Sequence, residues 1–378
     1  MKSLVIGGAH GIGLAVALTL AESCEKVIIV DKSEPEVKLP SNVIFDKQNL
    51  VENDLLFIYK YIEVDLVFYS AGFGRIGSFE TFHLKEIENC FKVNTLIPIQ
   101  IISIFSRRLL EKKKFYMGVM VSIAGHVVSP LFALYGATKA AVKSEIESVN
   151  IELEKNDSPN RILDISPGSI KGTRFNGGST TLIDSLKPLA LTILTSMIEG
   201  KTLYIPDYDA VYKAVISQYK DNPHQFGVQS FDYKQKSGRV NNKPRLKIGY
   251  LSGTFDLFHI GHLNLLKRAK DKCDYLVVGV HENASHKGKT TFIPFEERKA
   301  ILRSIKYVDR VIDSEKEDCD VYLKGIVPYD VLFVGSDYKN TPRFNHYEEI
   351  FKDLGVEIVY FPYTQGTSST QLRSALLK

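Results

Sequence analysis

The sequence predicts an α/β protein made of two doubly wound parallel-sheet domains in tandem. Three observations predict it. Short apolar runs alternate with amphipathic stretches, the pattern of strand–helix–strand units. Two glycine-containing turns, residues 7–13 and 253–262, each follow an apolar run and open onto a helical stretch. The length, 378 residues, suits two domains better than one. With 44% apolar and 24% charged residues, the chain can bury two cores.

Composition narrows the class. The net charge is only +4 and no long basic run is present, so a nucleic-acid partner is not expected. Cys24, Cys90, Cys273 and Cys319 have neither metal-ligand spacing nor a disulfide pattern, which predicts free thiols in a reducing cytoplasm and no protein-built metal site. Residues 1–6 lead straight into a glycine turn, which leaves no room for a signal peptide. No apolar run approaches the roughly 20 residues that span a bilayer. Residues 96–105 and 189–198 read as buried helix faces, so no membrane contact is expected.

In the front part, residues 4–6 read as a strand, followed by Gly7-Gly8-Ala9-His10-Gly11-Ile12-Gly13 and a helix over 14–22. Gly7, Gly11 and Gly13 let the backbone bend and approach a dinucleotide pyrophosphate resting on the helix start, with Ile12 in the same turn. A strand over 26–30 ends at Asp31, placed to accept hydrogen bonds from a ribose, which favours NADH. Lys32 follows and could meet a 2′-phosphate, so NADPH stays open. A strand over 43–45 ends at Asp46, where an adenine edge could lie. Another, over 66–69, ends in Ser70, Ala71 and Gly72, small enough for a cofactor to pass close. A helix carries Asn94. The strand over 118–121 ends at Ser122, and thirteen residues later Tyr135 opens a helix with Lys139 one turn on. The strand over 162–165 leads to Pro167 and Gly168, then Thr173.

These motifs resemble the short-chain dehydrogenase/reductase family: the glycine turn, Ser122, Tyr135 and Lys139 as Tyr-x-x-x-Lys, and Pro167-Gly168, with Asn94 at the family's helix asparagine. Two departures stand out: Tyr69-Ser70-Ala71-Gly72 replaces Asn-Asn-Ala-Gly, and Ile6 replaces the threonine before the glycine turn. The resemblance implies a Rossmann-like fold and a ketone reductase. Tyr135 would donate the proton, and Lys139 would lower the tyrosine pKa and hold the nicotinamide ribose. Ser122 would hydrogen-bond the carbonyl oxygen, and Asn94 would steady a water that relays protons. Residues 174–178 and the helical stretch 182–198 would cover the substrate; Lys171 and Arg174 are candidates for a substrate phosphate, with surface charge the better reading of each. Residues 232–244 are polar and aperiodic and read as a linker between domains 1–231 and 245–378.

The back domain opens with a strand over 248–251 and the string Gly253-Thr254-Phe255-Asp256-Leu257-Phe258-His259-Ile260-Gly261-His262, then a helix over 263–270. Backbone N–H groups at a helix start attract anions. His259 and His262 are three apart and share a face, where they can hold a triphosphate and stabilise charge as a phosphoryl bond breaks. A strand over 275–280 precedes a polar loop with Lys287 and Lys289, and a helix over 295–305 carries Arg298. A strand over 331–334 ends in Gly335, Ser336, Asp337 and Tyr338. The last strand, 356–361, leads to Gly366, Thr367, Ser368, Ser369 and Thr370 at the start of a closing helix.

Residues 246–378 resemble nucleotidyltransferases of the glycerol-3-phosphate cytidylyltransferase type. That resemblance implies a small Rossmann-like fold with His259, His262 and Lys287 as catalytic residues. It implies that Gly253, Thr254, Phe255, Gly261, Lys289, Arg298, Gly335, Asp337 and residues Thr367, Ser368, Ser369 and Thr370 bind the nucleotide, CTP with Mg²⁺. Tyr363 replaces the family's arginine, removing a cation, and Tyr338 replaces an aromatic that is usually tryptophan. Together the two resemblances imply a bifunctional enzyme. It would reduce a ketose phosphate such as ribulose 5-phosphate with NADH or NADPH, then make a CDP-alditol and pyrophosphate for cell-surface polysaccharide, as a cytoplasmic homo-oligomer. The alternatives are an ATP-dependent adenylyltransferase and a non-catalytic, regulatory front domain.

Overall fold

Strand polarity places both sites. The computed structural model describes residues 1–173, 175, 181–242, 246–283, 290–362 and 369–376. It divides into two units, Met1–Pro244 and Arg245–Lys378.

The first unit holds strands β1 (Lys2–Ile6), β2 (Lys26–Asp31), β3 (Val43–Lys47), β4 (Leu66–Tyr69), β5 (Tyr116–Met120), β6 (Ile162–Ile165) and β7 (Leu203–Tyr204). They pair in parallel in the order β3-β2-β1-β4-β5-β6-β7. The helices are α1 (Gly11–Ala21), α2 (Leu84–Phe91), α3 (Ile97–Ile104), α4 (Ser106–Leu110), α5 (Ala133–Lys155), α6 (Ile183–Ile198), α7 (Lys213–Asp221) and α8 (Pro223–Lys236). Residues 4–6 of β1 and 27–30 of β2 are continuous apolar runs because helices cover both faces of the sheet. One core lies under α3 and α5, through Ile97, Ile101, Val142 and Ile146; the other lies under α1 and α6, through Leu14, Val16, Ala190 and Ile193.

The strand order reverses between β1 and β4, so the crossovers leave in opposite directions and a crevice opens at the strands' carboxyl ends. Ile6 pairs with Tyr69 in register there. Gly7 follows with φ +81°, and a Cβ on it would sit 2.3 Å from the Ala71 nitrogen. A Cβ on Gly13 would sit 2.1 Å from the Gly7 carbonyl oxygen. No residue but glycine fits either position.

Residues 232–242 are not a linker. Residues 232–236 complete α8, and beyond it the Asn241 N–H donates to Ile76 O at 2.7 Å, Arg75 donates to Asn241 O at 2.8 Å, and the Ser78 N–H donates to Asn242 Oδ1 at 2.9 Å. The segment therefore belongs to the first unit. Only Gly227 and Lys234 of α8 are buried, so its sequence carries no apolar stripe to announce a helix.

The second unit holds β8 (Ile248–Gly253), β9 (Tyr275–Val280), β10 (Arg310–Asp313), β11 (Val331–Gly335) and β12 (Glu357–Phe361), parallel in the order β10-β9-β8-β11-β12. Its helices are α9 (Ile260–Lys270), α10 (Phe295–Arg303), α11 (Asp318–Leu323), α12 (Pro342–Leu354) and α13 (Ser369–Leu376). The order reverses between β8 and β11, which opens a second crevice at their carboxyl ends. The edge strands β7 and β10 escape a periodicity argument because they are short and only partly buried. Among the described residues, no helix is long and apolar enough to cross a membrane.

Two buried charges tie the second crevice together. Arg298, 1% exposed, donates to Ile293 O at 2.9 Å, Thr254 O at 2.5 Å, His281 O at 2.8 Å and Glu282 O at 2.6 Å. Asp256, 3% exposed, accepts from the Phe292 N–H at 3.1 Å, the Ile293 N–H at 2.9 Å and Arg373 at 2.5 Å. Phe255 and Leu257, on either side of Asp256, have left-handed φ of 52° and 48°. That costs about 1–2 kcal/mol per residue without glycine's freedom. The Asp256 bonds and the burial of Phe255 in the core offset it. Arg298→Met should therefore cost about 2–4 kcal/mol in urea unfolding of the full chain. Arg298→Lys should fail to restore it, because one nitrogen cannot serve all four carbonyls. Full stability in the lysine variant would show that charge alone suffices.

Two candidate active sites

In the first unit, a cleft of about 1140 Å³ runs along the crevice between β1 and β4. Gly7, Gly11, Ile12, Asp31, Lys32, Ala71 and Gly72 line it, as do Ser122, Tyr135, Lys139, Pro167, Gly168 and Thr173. The sequence predicts all of these as site residues, and the fold brings them to one cleft. The volume exceeds the roughly 300–1000 Å³ of ordinary small-molecule pockets and leaves room for a dinucleotide and a substrate together.

At the cofactor end, backbone amides meet acidic and hydroxyl side chains. Asp31 accepts from the Ala9 N–H and the Ser33 N–H, both at 3.1 Å, which aims the carboxylate from the end of β2 into the cleft. A side chain on Gly11 would meet nothing closer than Thr173, at 3.9 Å, so the turn is open where a pyrophosphate would rest. The Gly11 N–H donates to Thr181 Oγ1 at 2.9 Å, and the Thr181 N–H donates to Glu36 at 2.9 Å. Thr181 thus holds one amide of the turn from the segment predicted to cover the substrate. These residues fit a nicotinamide dinucleotide.

Asp46 does not reach the cleft as predicted. Its carboxylate accepts from Gln48 at 2.8 Å and from the Tyr61 hydroxyl at 2.7 Å. Gln48, Asn49, Leu50 and Val51 line that end instead, because β3 runs on past Asp46 before the chain turns toward the crevice.

At the reacting end, α5 carries Tyr135 and Lys139 one turn apart. The Ser122 hydroxyl accepts from the Ala124 N–H at 3.2 Å and donates to Pro167 O at 3.3 Å, on the side of the cleft that Tyr135 faces. Lys139 Nζ donates to Met120 O at 2.7 Å and lies 5.6 Å from the Tyr135 ring centroid. Burial pushes the lysine down to about 8. Burial pushes the Tyr135 phenol up, and the Ser122 hydroxyl opposes this without overcoming it. Burial is the first cause of the Tyr135 shift, and the expected lowering by Lys139 is not among the causes that act on it.

Asn94 lies behind the reacting end. It sits in a π-helical turn, Lys92–Leu96, between α2 and α3. Its amide donates to Phe73 O at 2.8 Å and Thr138 Oγ1 at 3.1 Å, and accepts from the Phe73 N–H at 3.0 Å. The side chain holds the Phe73 backbone and α5 in place. Phe132 stacks on Tyr135 with centroids 4.3 Å apart, and Phe175 lies 5.2 Å from it. Neither is in a motif, and only the packing reveals them. A Cβ on Gly168 would collide with the Tyr212 hydroxyl at 1.6 Å. Arg174 lies outside the described residues, and Lys171 is exposed.

In the second unit, a pocket of about 340 Å³ sits at the carboxyl ends of β8 and β11. Gly253, Thr254, Phe255, His262, Gly335 and Asp337 line it, with Arg343 and Arg373, which the sequence does not single out. His259 caps α9: its Nδ1 accepts from the Gly261 N–H at 3.0 Å, and His262 Nδ1 accepts from the His259 N–H at 3.4 Å. An Nδ1 that accepts a backbone N–H carries no proton. The hydrogen of each neutral ring is then on Nε2, which makes both rings donors at Nε2. The rings stack with centroids 4.0 Å apart. Burial lowers both pKa values, that of His262 to about 4, so both are neutral donors near pH 7.

Arg298 is not the phosphate ligand predicted, since its guanidinium is spent on the backbone carbonyls around the pocket. Arg373 lines the pocket but pairs with Asp256 at 2.5 Å, and Arg343 pairs with Glu317 at 2.8 Å. Ser369 and Thr370 open α13. Lys287, Lys289, Tyr363, Thr367 and Ser368 lie outside the described residues. Among the described residues, no cluster of three or more His, Cys, Asp or Glu is placed to hold a metal ion.

Comparison with known proteins finds a family match in each unit. The short chain dehydrogenase profile matches residues 2–181, and the cytidylyltransferase-like profile matches residues 250–375. Glycerol-3-phosphate cytidylyltransferase of Bacillus subtilis is 38% identical over 129 residues, covering 33% of this chain and 92% of that protein. Bifunctional protein HldE of Klebsiella pneumoniae is 31% identical over 157 residues, covering 40% of this chain but only 32% of that protein. A short-chain dehydrogenase from Streptomyces avermitilis shares the fold with a TM-score of 0.50 at 16% identity, over 62% of this chain and 99% of that one. The chain belongs to the cytidylyltransferase-like family through its second unit and carries a short-chain dehydrogenase domain as its first, so it joins an oxidoreductase domain to a nucleotidyltransferase domain.

Proposed function

We propose that the first unit reduces a ketose phosphate to an alditol phosphate and that the second transfers CMP from CTP to that product, giving a CDP-alditol and pyrophosphate for cell-surface polysaccharide. The observation that carries this reading is the pairing on one chain: the unit with the cleft of Ser122, Tyr135 and Lys139 is followed in sequence by a domain 38% identical to an enzyme named for glycerol 3-phosphate, itself an alditol phosphate. Ribitol, arabinitol, mannitol and glycerol phosphates are the candidate products.

In the first unit, the substrate carbonyl oxygen accepts hydrogen bonds from Ser122 and Tyr135. The raised pKa keeps Tyr135 protonated until the oxygen becomes basic, and the tyrosine then gives up its proton. Lys139 stabilises the phenolate that remains. NADH or NADPH, when bound, supplies hydride to the carbonyl carbon. Asp31 supports NADH, and Lys32 beside it leaves room for NADPH.

In the second unit, the acceptor phosphate attacks the α-phosphorus of CTP in line and pyrophosphate leaves. The Nε2 donors of His259 and His262 and the amides at the start of α9 stabilise the charge that develops. Mg²⁺, held mainly by the nucleotide phosphates and water, would neutralise part of it. A cytoplasmic homo-oligomer belongs to the same reading, and sedimentation equilibrium measures its subunit count.

The test is a panel of ribulose 5-phosphate, fructose 6-phosphate and dihydroxyacetone phosphate with NADH or NADPH and CTP, read by coenzyme oxidation and mass spectrometry of the nucleotide product. No oxidation with any ketose, and no pyrophosphate with any polyol phosphate, overturns the reading. Pyrophosphate with ATP and not CTP selects an adenylyltransferase. Tyr135→Phe should cut reduction about 10²–10⁴-fold and leave transfer intact; unchanged reduction removes Tyr135 from its role.

His262→Asn keeps an acceptor at the Nδ1 position but loses the Nε2 donor, and should lower transfer about 10²–10³-fold. The same residue predicts a pH effect. Its folded pKa, about 4, lies below the unfolded value near 6.5, so between these the unfolded chain binds the proton. The stabilisation is present above pH 6.5 and lost as pH falls toward 4, on the order of 3 kcal/mol. Urea unfolding at pH 7 and 4.5 should show a smaller acid loss in His262→Asn than in the unaltered chain.

A further inference from the structure

The inner face of α8 carries a buried charge without a counter-charge. Lys234 is 8% exposed, and its ammonium donates to Ser129 Oγ and Ser230 Oγ, both at 2.9 Å. No carboxylate pairs with it among the described residues. The charge that acts on it is another cation, Arg239, whose Nε donates to Ser237 Oγ at 3.3 Å. Burial, with Arg239 adding to it, pushes the ammonium down to about 8. A buried ammonium beside a second cation is costly unless an anion joins them.

Their location says which anion. Ser129, Ser230, Lys234 and Arg239 line the same cleft as Ser122 and Tyr135. A Cβ on Gly136, next to Tyr135, would lie 3.8 Å from Ser129 Cβ, so this hydroxyl stands at the reacting end. A Cβ on Gly227 would lie 3.6 Å from Val128, which shows α8 packed close against that loop. Arg75 lines the cleft too but is already neutralised, holding Glu86 at 2.7 and 3.1 Å; its bond to Asn241 O fixes the segment that carries Arg239.

We propose that Lys234 and Arg239, with the hydroxyls of Ser129 and Ser230, form the subsite for the phosphate group of the first unit's substrate, so that this unit selects phosphorylated ketones. A phosphate dianion can accept from the ammonium, the guanidinium and both hydroxyls at once. The inference rests on the reading of the first unit as a ketone reductase and names the group it recognises.

The experiment uses the full chain and its Lys234→Gln, Arg239→Gln and Lys234→Arg variants. Coenzyme oxidation is followed with each ketose phosphate and with the same ketose lacking phosphate, and inorganic phosphate is titrated as an inhibitor. Both glutamine variants should raise the KM for the phosphorylated ketose about 10- to 100-fold and collapse its preference over the unphosphorylated one, with coenzyme KM unmoved. The inhibition constant of inorganic phosphate should rise in parallel, and Lys234→Arg should restore part of the preference. Unfolding midpoints taken on the same samples separate lost recognition from lost fold, and the half-buried Arg239 provides a variant that leaves the α8 contact intact. An unaltered chain that reduces the phosphorylated ketose, with both glutamine variants equal to it, overturns the subsite alone. A chain that reduces neither ketose overturns the reductase reading and the subsite together. A rise in coenzyme KM in place of substrate KM would assign the cations to the coenzyme and overturn the proposal.

Discussion

The polarity of the parallel sheets is the constraint on which both sites depend. When strand order reverses between β1 and β4, and again between β8 and β11, the connecting segments diverge and leave the strand ends uncovered. Backbone groups at those ends have no sheet partner and must be satisfied by a turn, a side chain or a ligand. In the first unit the answer is a turn so tight that Gly7 and Gly13 cannot carry a Cβ. In the second it is a turn that holds two non-glycine residues in left-handed backbone. The same topology thus calls for glycine in one place and for a compensated distortion in the other.

That compensation comes from charge buried against backbone. Asp256 collects amides from the segment before α10 and Arg373 from α13, while Arg298 collects carbonyls from three separate stretches. Each replaces hydration with several directed bonds, the condition under which a buried ion is tolerated. The histidines follow from the same geometry. With both Nδ1 atoms engaged by amides at the start of α9, their tautomers are set before any ligand arrives.

Desolvation governs the first unit's chemistry more than pairing does. Lys139 and Tyr135 lie close enough for the ammonium to favour a phenolate, yet burial moves each toward its neutral form. A protonated Tyr135 suits the proposed reduction, in which it would give a proton away. Lys234 is also buried, but its ammonium meets two hydroxyls where that of Lys139 meets the Met120 carbonyl, and this difference underlies the phosphate subsite proposed for it.

The sequence by itself determined the fold class, the two glycine turns, and the Ser122, Tyr135, Lys139 and His259–His262 sets, because these depend on local spacing and on residue types with few substitutes. Periodicity also located the buried strands, where Val and Ile runs have no other explanation. Only the tertiary structure decided what each charge is for. Arg298 and Asp46 read as ligands along the chain, but folding turns them toward carbonyls and a tyrosine. Residues 232–242 read as a linker because α8 buries almost nothing apolar, yet they carry Lys234 and Arg239 to the cleft. A polar side chain's role is set by the partners that long-range packing brings within about 3 Å, and sequence spacing records none of them.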